Sequence, residues 1–323
     1  MCQDYQQGRR NDGRASFVGF RLVAVVLMIG ICGCAHAPLR FDPRARRTCL
    51  VLSAGGTRGV AELGALAALR EANFSISCVV GTSVGALMGG LYASAPDQDT
   101  TARFRSVAQA YKAASEDEAT RRGLEAGAVA GAIAATVSGG VLLPVGAALG
   151  GFLWGADTVA RASLERMSRV LDAAIPNADI GGLPIPYATF HQERTPQGLR
   201  LMTDTTGPLA KAIARSIANP FIFEDMDLNR AVAIDPGSDR LAVVPVDDAC
   251  RLFSDANLLV VNISGERILT TADMHCPVQE IAVQVPPLSG EDFFSGGPAF
   301  ERAWAAGYQA TADSLQRSAE MVR

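Results

Sequence analysis

The sequence predicts an α/β fold with a mainly parallel central sheet. The pattern of two successive units predicts the sheet, and the composition predicts an ordered chain with a large core. Two units, each an apolar run, a glycine-rich turn and a helix-like stretch, follow one another between residues 49 and 92. Consecutive units of this kind are typical of parallel sheets covered by helices. The chain has 323 residues, 49% hydrophobic and 19% charged, so it can bury a large core and is not disordered as a whole.

The N-terminus has the features of a bacterial export signal. Four arginines precede Leu22–Cys34, thirteen residues without a charge, which is shorter than the roughly 20 that a membrane span needs. Ile31–Cys34 resembles the lipobox of bacterial lipoproteins, with Cys32 in place of the usual Ser, Ala or Thr. The resemblance implies cleavage before Cys34, lipidation of its thiol and a membrane-anchored lipoprotein of the cell envelope, at the periplasmic or outer-membrane face. An ordinary signal peptide or an uncleaved anchor is the alternative.

The first strand–turn–helix unit contains a glycine-rich loop. Cys49–Ser53 is predicted as a buried strand, and Val60–Ala72 as a helix. Between them, Gly55–Gly59 presents several backbone N–H groups in one direction, which suits a phosphate or the oxyanion of a tetrahedral intermediate. Its spacing matches neither a dinucleotide-binding loop nor a Walker loop.

The second unit carries a GxSxG motif. Ile76–Val80 is predicted as a strand and Ala86–Tyr92 as a helix, with Gly-Thr-Ser-Val-Gly at residues 81–85 between them. Such a sharp turn exposes the serine hydroxyl at the carboxyl end of the strand, where the helix dipole favours negative charge. The motif predicts Ser83 as a nucleophile, and a plain tight turn is the alternative.

The rest of the chain alternates between the two kinds of element. The predicted helices are 97–122, 158–175, 208–218 and 300–321. The predicted strands are 184–190, 199–203, 231–234, 257–263 and 281–285.

An apolar helical insertion is predicted at about residues 123–156. Ala126–Ala156 has no charge and eight glycines. Small residues at every fourth position let helices approach closely, including in lipid. Pro144 and the pair Gly139-Gly140 favour two short helices over one. A buried helical pair, an element dipping into lipid and a transmembrane span all remain open.

Composition argues against several kinds of partner. The net charge of −4 gives no basic excess for nucleic acid. The seven cysteines contain no CxxC pair, so a zinc site is not expected. No metal and no other cofactor is predicted. Disulfides and isolated buried thiols are both open for Cys49, Cys78, Cys250 and Cys276. The sequence gives no oligomeric state.

A serine nucleophile needs a base, and the sequence offers two kinds. The order Ser83, Asp235, His275 fits an α/β-hydrolase triad. A carboxylate held against the hydroxyl in a dry site can also accept the proton. Asp235 suits that role because it ends a predicted strand, directly before Pro236-Gly237.

Taken in order, the glycine loop, the Ser83 motif and Asp235 resemble the patatin-like phospholipase family. Residues 215–223 look like the family's segment before its catalytic aspartate, and residues 258–264 like its following strand. The resemblance covers roughly residues 48–285. It implies a three-layer α/β/α patatin-like fold and a Ser–Asp dyad without histidine.

Site roles and domain bounds follow from this resemblance. It implies Ser83 as nucleophile and Asp235 as general base, with Arg58 also near an anionic head group. The implied oxyanion hole comprises Gly55, Gly56, Thr57 and Arg58. We predict a lipoprotein signal peptide at 1–33, a linker at 34–47 and a patatin-like hydrolase domain at 48–323.

The chain departs from the family around the predicted base. The family has Asp-Gly-Gly or Asp-Gly-Ala, whereas this chain has Asp235-Pro236-Gly237. The family's Asn-x-Pro is also absent, and Val243-Val244-Pro245 stands two residues too far along. Asp239 is therefore an alternative base.

The predicted function is a serine acyl-ester hydrolase, a phospholipase A or related lipid acyl hydrolase. Its substrate would be a membrane phospholipid or another acyl-ester lipid. One alternative is a catalytically impaired patatin fold that binds lipid. The other is a Ser-His-Asp esterase that uses His275.

Overall fold

Seven strands form one sheet in the computed structural model. The structure describes residues 47–117, 163–219, 222–223, 226, 233–239 and 241–321. Within these residues the strands are β1 (Thr48–Leu52), β2 (Cys78–Gly81), β3 (Tyr187–Thr195), β4 (Gly198–Asp204), β5 (Ala233–Ile234), β6 (Asn257–Asn262) and β7 (Val278–Ala282). The helices are α1 (Val60–Glu71), α2 (Val84–Ser94), α3 (100–117), α4 (Leu164–Ala174), α5 (Leu209–Ser216), α6 (Val246–Leu252), α7 (Gly290–Ser295) and α8 (Pro298–Met321).

The sheet is mainly parallel, as predicted. Its order is β4-β3-β2-β1-β6-β7, and β5 pairs with β3 outside this path. The pairs β1–β2, β1–β6, β2–β3 and β6–β7 are parallel, whereas β4 and β5 run antiparallel to β3. The α/β fold class is confirmed.

Two hydrophobic clusters cover the two faces of the sheet. Leu50 and Leu52 of β1 point into the larger one, which includes α1, α2, α5 and α8. Cys49 and Val51 point into the smaller one, which includes α6. All five residues of β1 are buried, as expected for a central parallel strand covered on both faces. This arrangement is the predicted three-layer α/β/α architecture.

Two disulfides answer the question that the cysteines left open. Cys49 and Cys78 are direct partners in the β1–β2 pairing and are bonded to each other. Cys250 of α6 is bonded to Cys276, which lies shortly before β7.

Several elements differ from prediction. β3 is Tyr187–Thr195 rather than 184–190, because its polar second half shows no apolar pattern. The first helix after segment 118–162, α4, begins at Leu164 rather than at 158. β7 is Val278–Ala282 rather than 281–285, because its partly exposed residues show little apolar alternation. The short helices α6 and α7 were not predicted, since seven and six residues are too few for a helical period to stand out.

Several predictions fall outside the described residues. They are the signal peptide 1–33, lipidation at Cys34, the linker except residue 47, and the apolar insertion 123–156. In the part of the chain that is described, no helix combines the length and the apolar character needed to cross a membrane.

The two borders of segment 118–162 lie side by side. The Tyr111 hydroxyl of α3 accepts a hydrogen bond from the Ser163 backbone N–H, just before α4, at 2.8 Å. The Arg166 guanidinium donates to Ser115 Oγ at 3.0 Å and lies 5.4 Å from the centre of the Tyr111 ring. These contacts hold the end of α3, before segment 118–162, against the start of α4, after it.

Candidate active site

The sheet topology explains why Ser83 and Asp235 meet. β2 and β5 lie along the same edge of β3 and run toward each other. β2 ends opposite Thr189 and β5 ends opposite Gln192. The gap is three residues of β3, about 10 Å at the usual rise per residue. Ser83 follows β2 and Asp235 follows β5, so the two side chains enter this gap from opposite ends.

Ser83 occupies a strained turn that its neighbouring glycines permit. Its φ of 56° and ψ of −124° are uncommon for a residue with a side chain. A Cβ on Gly81 would lie 2.3 Å from the Gly85 carbonyl oxygen, and one on Gly85 would lie 2.6 Å from the Leu52 carbonyl oxygen. Both glycines are therefore required for the turn to close against β1.

The Ser83 hydroxyl donates a hydrogen bond to Asp235. The distance from Ser83 Oγ to Asp235 Oδ2 is 2.6 Å. Ser83 is 6% exposed and Asp235 is 5% exposed. A short hydrogen bond from a hydroxyl to a carboxylate is stronger than one between neutral groups, and little water competes with it here.

The surroundings of Asp235 leave it able to accept a proton. Burial raises its pKa, and hydrogen bonds from Ser83, Gly237 and Asn219 offset that rise only in part. The Gly237 N–H donates to Asp235 Oδ1 at 2.7 Å. All three of these donors are neutral, so none of them adds a compensating positive charge.

The proline after Asp235 is accommodated. Asp235 caps a short 3-10 helix, Pro236–Ser238, in which the proline takes the first position. A helix does not use the N–H of its first residue, so proline is tolerated there. The N–H that Asp235 does use belongs to Gly237, which matches the final Gly or Ala of the Asp-Gly-Gly or Asp-Gly-Ala sequence in the resemblance.

The two alternative bases lie elsewhere. Asp239 Oδ1 accepts the Leu241 N–H at 3.0 Å and supports its own turn. His275 is exposed and precedes β7, whose first residue, Val278, pairs with Leu258 at the start of β6. His275 is therefore at the amino edge of the sheet, one strand length, roughly 13 Å or more, from the edge that carries Ser83. This separation excludes the predicted triad with His275.

The glycine loop lies against both the serine turn and the aspartate turn. Gly56–Gly59 forms a 3-10 turn between β1 and α1. A Cβ on Gly59 would lie 2.2 Å from Val84 Cγ2, and one on Gly237 would lie 3.2 Å from the Cβ of Ala54. The loop therefore begins beside the aspartate turn and ends beside the serine turn.

The predicted oxyanion residues share a tightly packed segment. The Arg58 N–H donates to the Gly55 carbonyl at 3.2 Å. A Cβ on Gly55 would lie 2.5 Å from Ile263 Cδ1, and Gly56 has a φ of +57°. Side chains at these two positions would displace the loop or strain it.

The loop's two side chains bind carbonyl groups beyond β6 and β7. Thr57 Oγ1 donates to the Leu288 carbonyl at 2.8 Å. Arg58 donates through Nε to the Val285 carbonyl at 3.1 Å and through Nη1 to the Ser264 carbonyl at 3.4 Å. Arg58 thus anchors the loop, a role that the head-group interpretation did not include.

Sequence analysis did not single out Ser216, which supports the serine turn. Its hydroxyl accepts the Ser83 backbone N–H at 3.0 Å. Thr189 Oγ1 lies 3.0 Å from Ser216 Oγ and donates to the Gly81 carbonyl at 2.8 Å. The two hydroxyls hold the backbone on both sides of the turn. Ser216 lies within the family-like segment 215–223, which was the available signal.

One group in the described part of the chain has metal-ligand chemistry. The ligand atoms of Cys250, His275 and Cys276 lie within 4.8 Å of one another. The two sulfurs are bonded to each other, so they offer no thiolate to a metal.

The sequence is similar to proteins of one family. The family model "Patatin-like phospholipase" matches residues 50–249. A patatin-like phospholipase domain-containing protein from Caenorhabditis elegans, ZK370.4, is 56% identical over 48 residues, 15% of this chain and 4% of that protein. Lysophospholipase nte1 from Emericella nidulans is 48% identical over 70 residues, 20% of this chain and 5% of that protein. The chain thus spans about one twentieth of the length of these relatives.

Two solved structures align with most of the chain. VipD from Legionella pneumophila is 12% identical, with a TM-score of 0.40, covering 84% of this chain and 67% of that one. The ExoU–SpcU complex from Pseudomonas aeruginosa gives 16% identity and a TM-score of 0.40, with 84% and 52% covered. The family model spans 200 of the 323 residues, and so this protein belongs to the patatin-like phospholipase family.

Proposed function

We propose that the protein is a serine acyl-ester hydrolase of lipids in which Ser83 is the nucleophile and Asp235 the general base. The observation that carries this proposal is the 2.6 Å hydrogen bond between the two side chains in a buried site. Membership of a phospholipase family supports an acyl-ester lipid as the substrate.

The first step is acylation of Ser83. Asp235 Oδ2 accepts the hydroxyl proton as Ser83 Oγ bonds to the ester carbonyl carbon. The carbonyl π electrons move to the oxygen, which becomes an oxyanion. When the tetrahedral intermediate collapses, the alcohol leaves with the proton that Asp235 held. An acyl ester on Ser83 remains.

The glycine loop is proposed to stabilise the oxyanion. Its contact with Val84, next to the nucleophile, supports this role, and so does the start of α1 directly after it. Backbone N–H donors near Gly56 and Thr57 cost no reorganisation during the reaction. Losing one such donor typically lowers the rate by about 10²–10³.

Water then hydrolyses the acyl-enzyme: Asp235 accepts a proton from the attacking water, and this proton passes to Ser83 Oγ as the fatty acid leaves. This base works only when ionised. Because burial raises the pKa of Asp235, kcat/KM should fall on the acid side at a higher pH than for an ordinary aspartate.

Labelling with a fluorophosphonate probe tests the proposal directly. The wild-type protein, in lipid, should be labelled, and Ser83→Ala and Asp235→Asn should not. Ser94→Ala, at the other end of α2, and Asp239→Asn, at the alternative base, are matched controls and should label normally.

Two results would count against the proposal. An unlabelled but folded wild type would favour the lipid-binding alternative. Labelling that survives in Asp235→Asn but disappears in Asp239→Asn would assign the base to Asp239.

We also propose that the protein is exported and anchored through Cys34. The N-terminal residue pattern supports this, and so do the two disulfides, which persist in oxidising compartments. Metabolic labelling with a palmitate analogue should mark the wild type and Cys32→Ala, but not Cys34→Ala. Label in Cys34→Ala would contradict lipidation at that residue.

A further inference from the structure

A cluster of four charged residues lies next to the support of the serine turn. The cluster consists of His191 and Glu193 on β3, Asp204 at the end of β4 and Arg215 in α5. His191 is 3% exposed. Its Nδ1 lies 2.8 Å from Asp204 Oδ2, and its Nε2 lies 3.1 Å from Glu193 Oε1. Both ring nitrogens therefore face carboxylate oxygens.

A protonated imidazole can donate to both carboxylates. A neutral ring donates from one nitrogen and would turn the lone pair of the other toward a carboxylate. Burial and Arg215 lower the pKa of His191, but its hydrogen bonds to Asp204 and Glu193, together with the negative charge of Asp204, outweigh them, so its pKa is raised. Within the described residues, the charged groups facing the ring are Glu193 from its own strand, Asp204 from β4 and Arg215 from α5.

The cluster is linked to the nucleophile through α5. Asp204 Oδ1 accepts a hydrogen bond from Arg215 Nη2 at 2.6 Å. Arg215 is the covalent neighbour of Ser216, which ends α5 and accepts the Ser83 N–H. The path from His191 to Ser83 thus consists of three hydrogen bonds and one peptide unit.

We propose that protonated His191 is a positioning residue for Ser83: together with Asp204 and Arg215 it fixes the last turn of α5, and Ser216 transmits that position to the serine turn. This inference rests on the proposed nucleophilic role of Ser83. His191 does not touch the reacting atoms in this scheme.

The proposal predicts an alkaline limit to activity. A histidine whose pKa is raised by folding contributes fully below its unfolded pKa, about 6.5, and the contribution is lost as pH rises through its folded pKa. Ionisation of Asp235 controls the acid side. The profile of kcat/KM should therefore be bell-shaped, with the acid limb set by Asp235 and the alkaline limb by His191.

The test combines pH profiles with NMR titration of the three histidines, on the full chain with an acyl-ester substrate. Glu193→Gln removes one carboxylate from His191 at a partly exposed position, so folding should survive. Its alkaline limb and its His191 titration should both move to lower pH. Glu165→Gln, which breaks an exposed pair with Arg169, is the matched control and should leave both unchanged.

His191→Gln provides the second variant. It should lower kcat about tenfold with little change in KM, and it should remove the alkaline limb. An alkaline limb that persists in His191→Gln, or that stays in place in Glu193→Gln while the titration moves, would overturn the proposal. Activity that persists in Ser83→Ala would instead overturn the proposed function, and this inference with it.

Discussion

Two buried aspartates near β3 have opposite surroundings. Asp235 receives its hydrogen bonds from a hydroxyl, a backbone N–H and a side-chain amide, all neutral. Asp204 is hydrogen-bonded to His191 and to the Arg215 guanidinium. Both residues are under 10% exposed, so burial does not distinguish them.

The surroundings of Asp235 suit proton transfer, whereas those of Asp204 suit structural support. Both carboxylate oxygens of Asp204 are taken up by side chains of neighbouring elements, His191 of β3 and Arg215 of α5. A buried carboxylate with only neutral donors keeps more basicity, because burial favours its protonated form. Asp235 thus has the surroundings of a base, and Asp204 those of a structural anchor.

The largest expected effect is on activity at Asp235. In Asp235→Asn the amide cannot accept the serine proton, so kcat should fall by about 10²–10⁴. The free energy of unfolding should stay the same or rise, because a buried charge is removed. Steady-state assays and urea unfolding measure the two quantities. A loss of stability without a loss of activity would contradict the assignment.

Asp204→Asn should lower the free energy of unfolding more than it lowers activity. The change leaves the Arg215 guanidinium and Nδ1 of His191 without their carboxylate partner, and breaking a buried charge pair in this way typically costs about 3–5 kcal/mol. Arg215 is partly exposed, so we expect a loss of about 3 kcal/mol in the free energy of unfolding. Urea unfolding at neutral pH measures this loss. If Asp204→Asn behaves like Asp235→Asn, the contrast between the two aspartates fails.

Glu62 adds a third buried carboxyl to the comparison. It is fully buried in α1, and burial raises its pKa well above the usual value for a glutamate, with a backbone contact to Ser53 opposing the rise. A carboxyl whose pKa is higher in the folded than in the unfolded protein costs stability as pH rises above the unfolded value. Glu62→Gln should therefore be more stable than wild type at pH 8, by about 1 kcal/mol or more. Urea unfolding at the two pH values should show that this advantage disappears near pH 4, where wild-type Glu62 is protonated in both states.

Ser216→Ala measures the contribution of the hydroxyl that supports the serine turn. The Ser83 N–H would lose its acceptor in a buried site, which typically costs about 1–3 kcal/mol. We expect kcat to fall about tenfold, with KM little changed. Ser106→Ala, an exposed serine of α3, is the matched control. Equal activity in both variants would show that the serine turn holds without Ser216.

The smallest effect is expected at the other edge of the sheet. His275→Ala should change kcat by less than about twofold, since His275 is exposed and far from Ser83. An ester hydrolysis assay would detect a larger loss. A loss comparable with that of Asp235→Asn would revive the triad.

The two strand–turn–helix units could be predicted closely from the sequence. Their glycines mark the turns between strand and helix. Both ends of β1, α1, β2 and α2 lie within about two residues of the predicted bounds. The pairing of Ser83 with Asp235 was also predicted, but from order and family resemblance. Its geometric cause, β2 and β5 converging on one edge of β3, is a tertiary property.

The supporting contacts could not be predicted in the same way. Ser83 and Ser216 are 133 residues apart in sequence, and no local pattern links a helix-ending serine to a distant turn. The alternation of Thr189, His191 and Glu193 shows that they share one face of β3, but their partners come from β4 and α5.

The hydrogen bond between Tyr111 and Ser163 affects how a change in the length of segment 118–162 bears on the fold. Because the residues that border segment 118–162 contact each other, α3 and α4 hold the two ends of the segment together whatever its length. Closing a longer loop costs only about 0.6 kcal/mol more for each doubling of its length. A change in the length of this segment therefore costs the fold little loop-closure entropy.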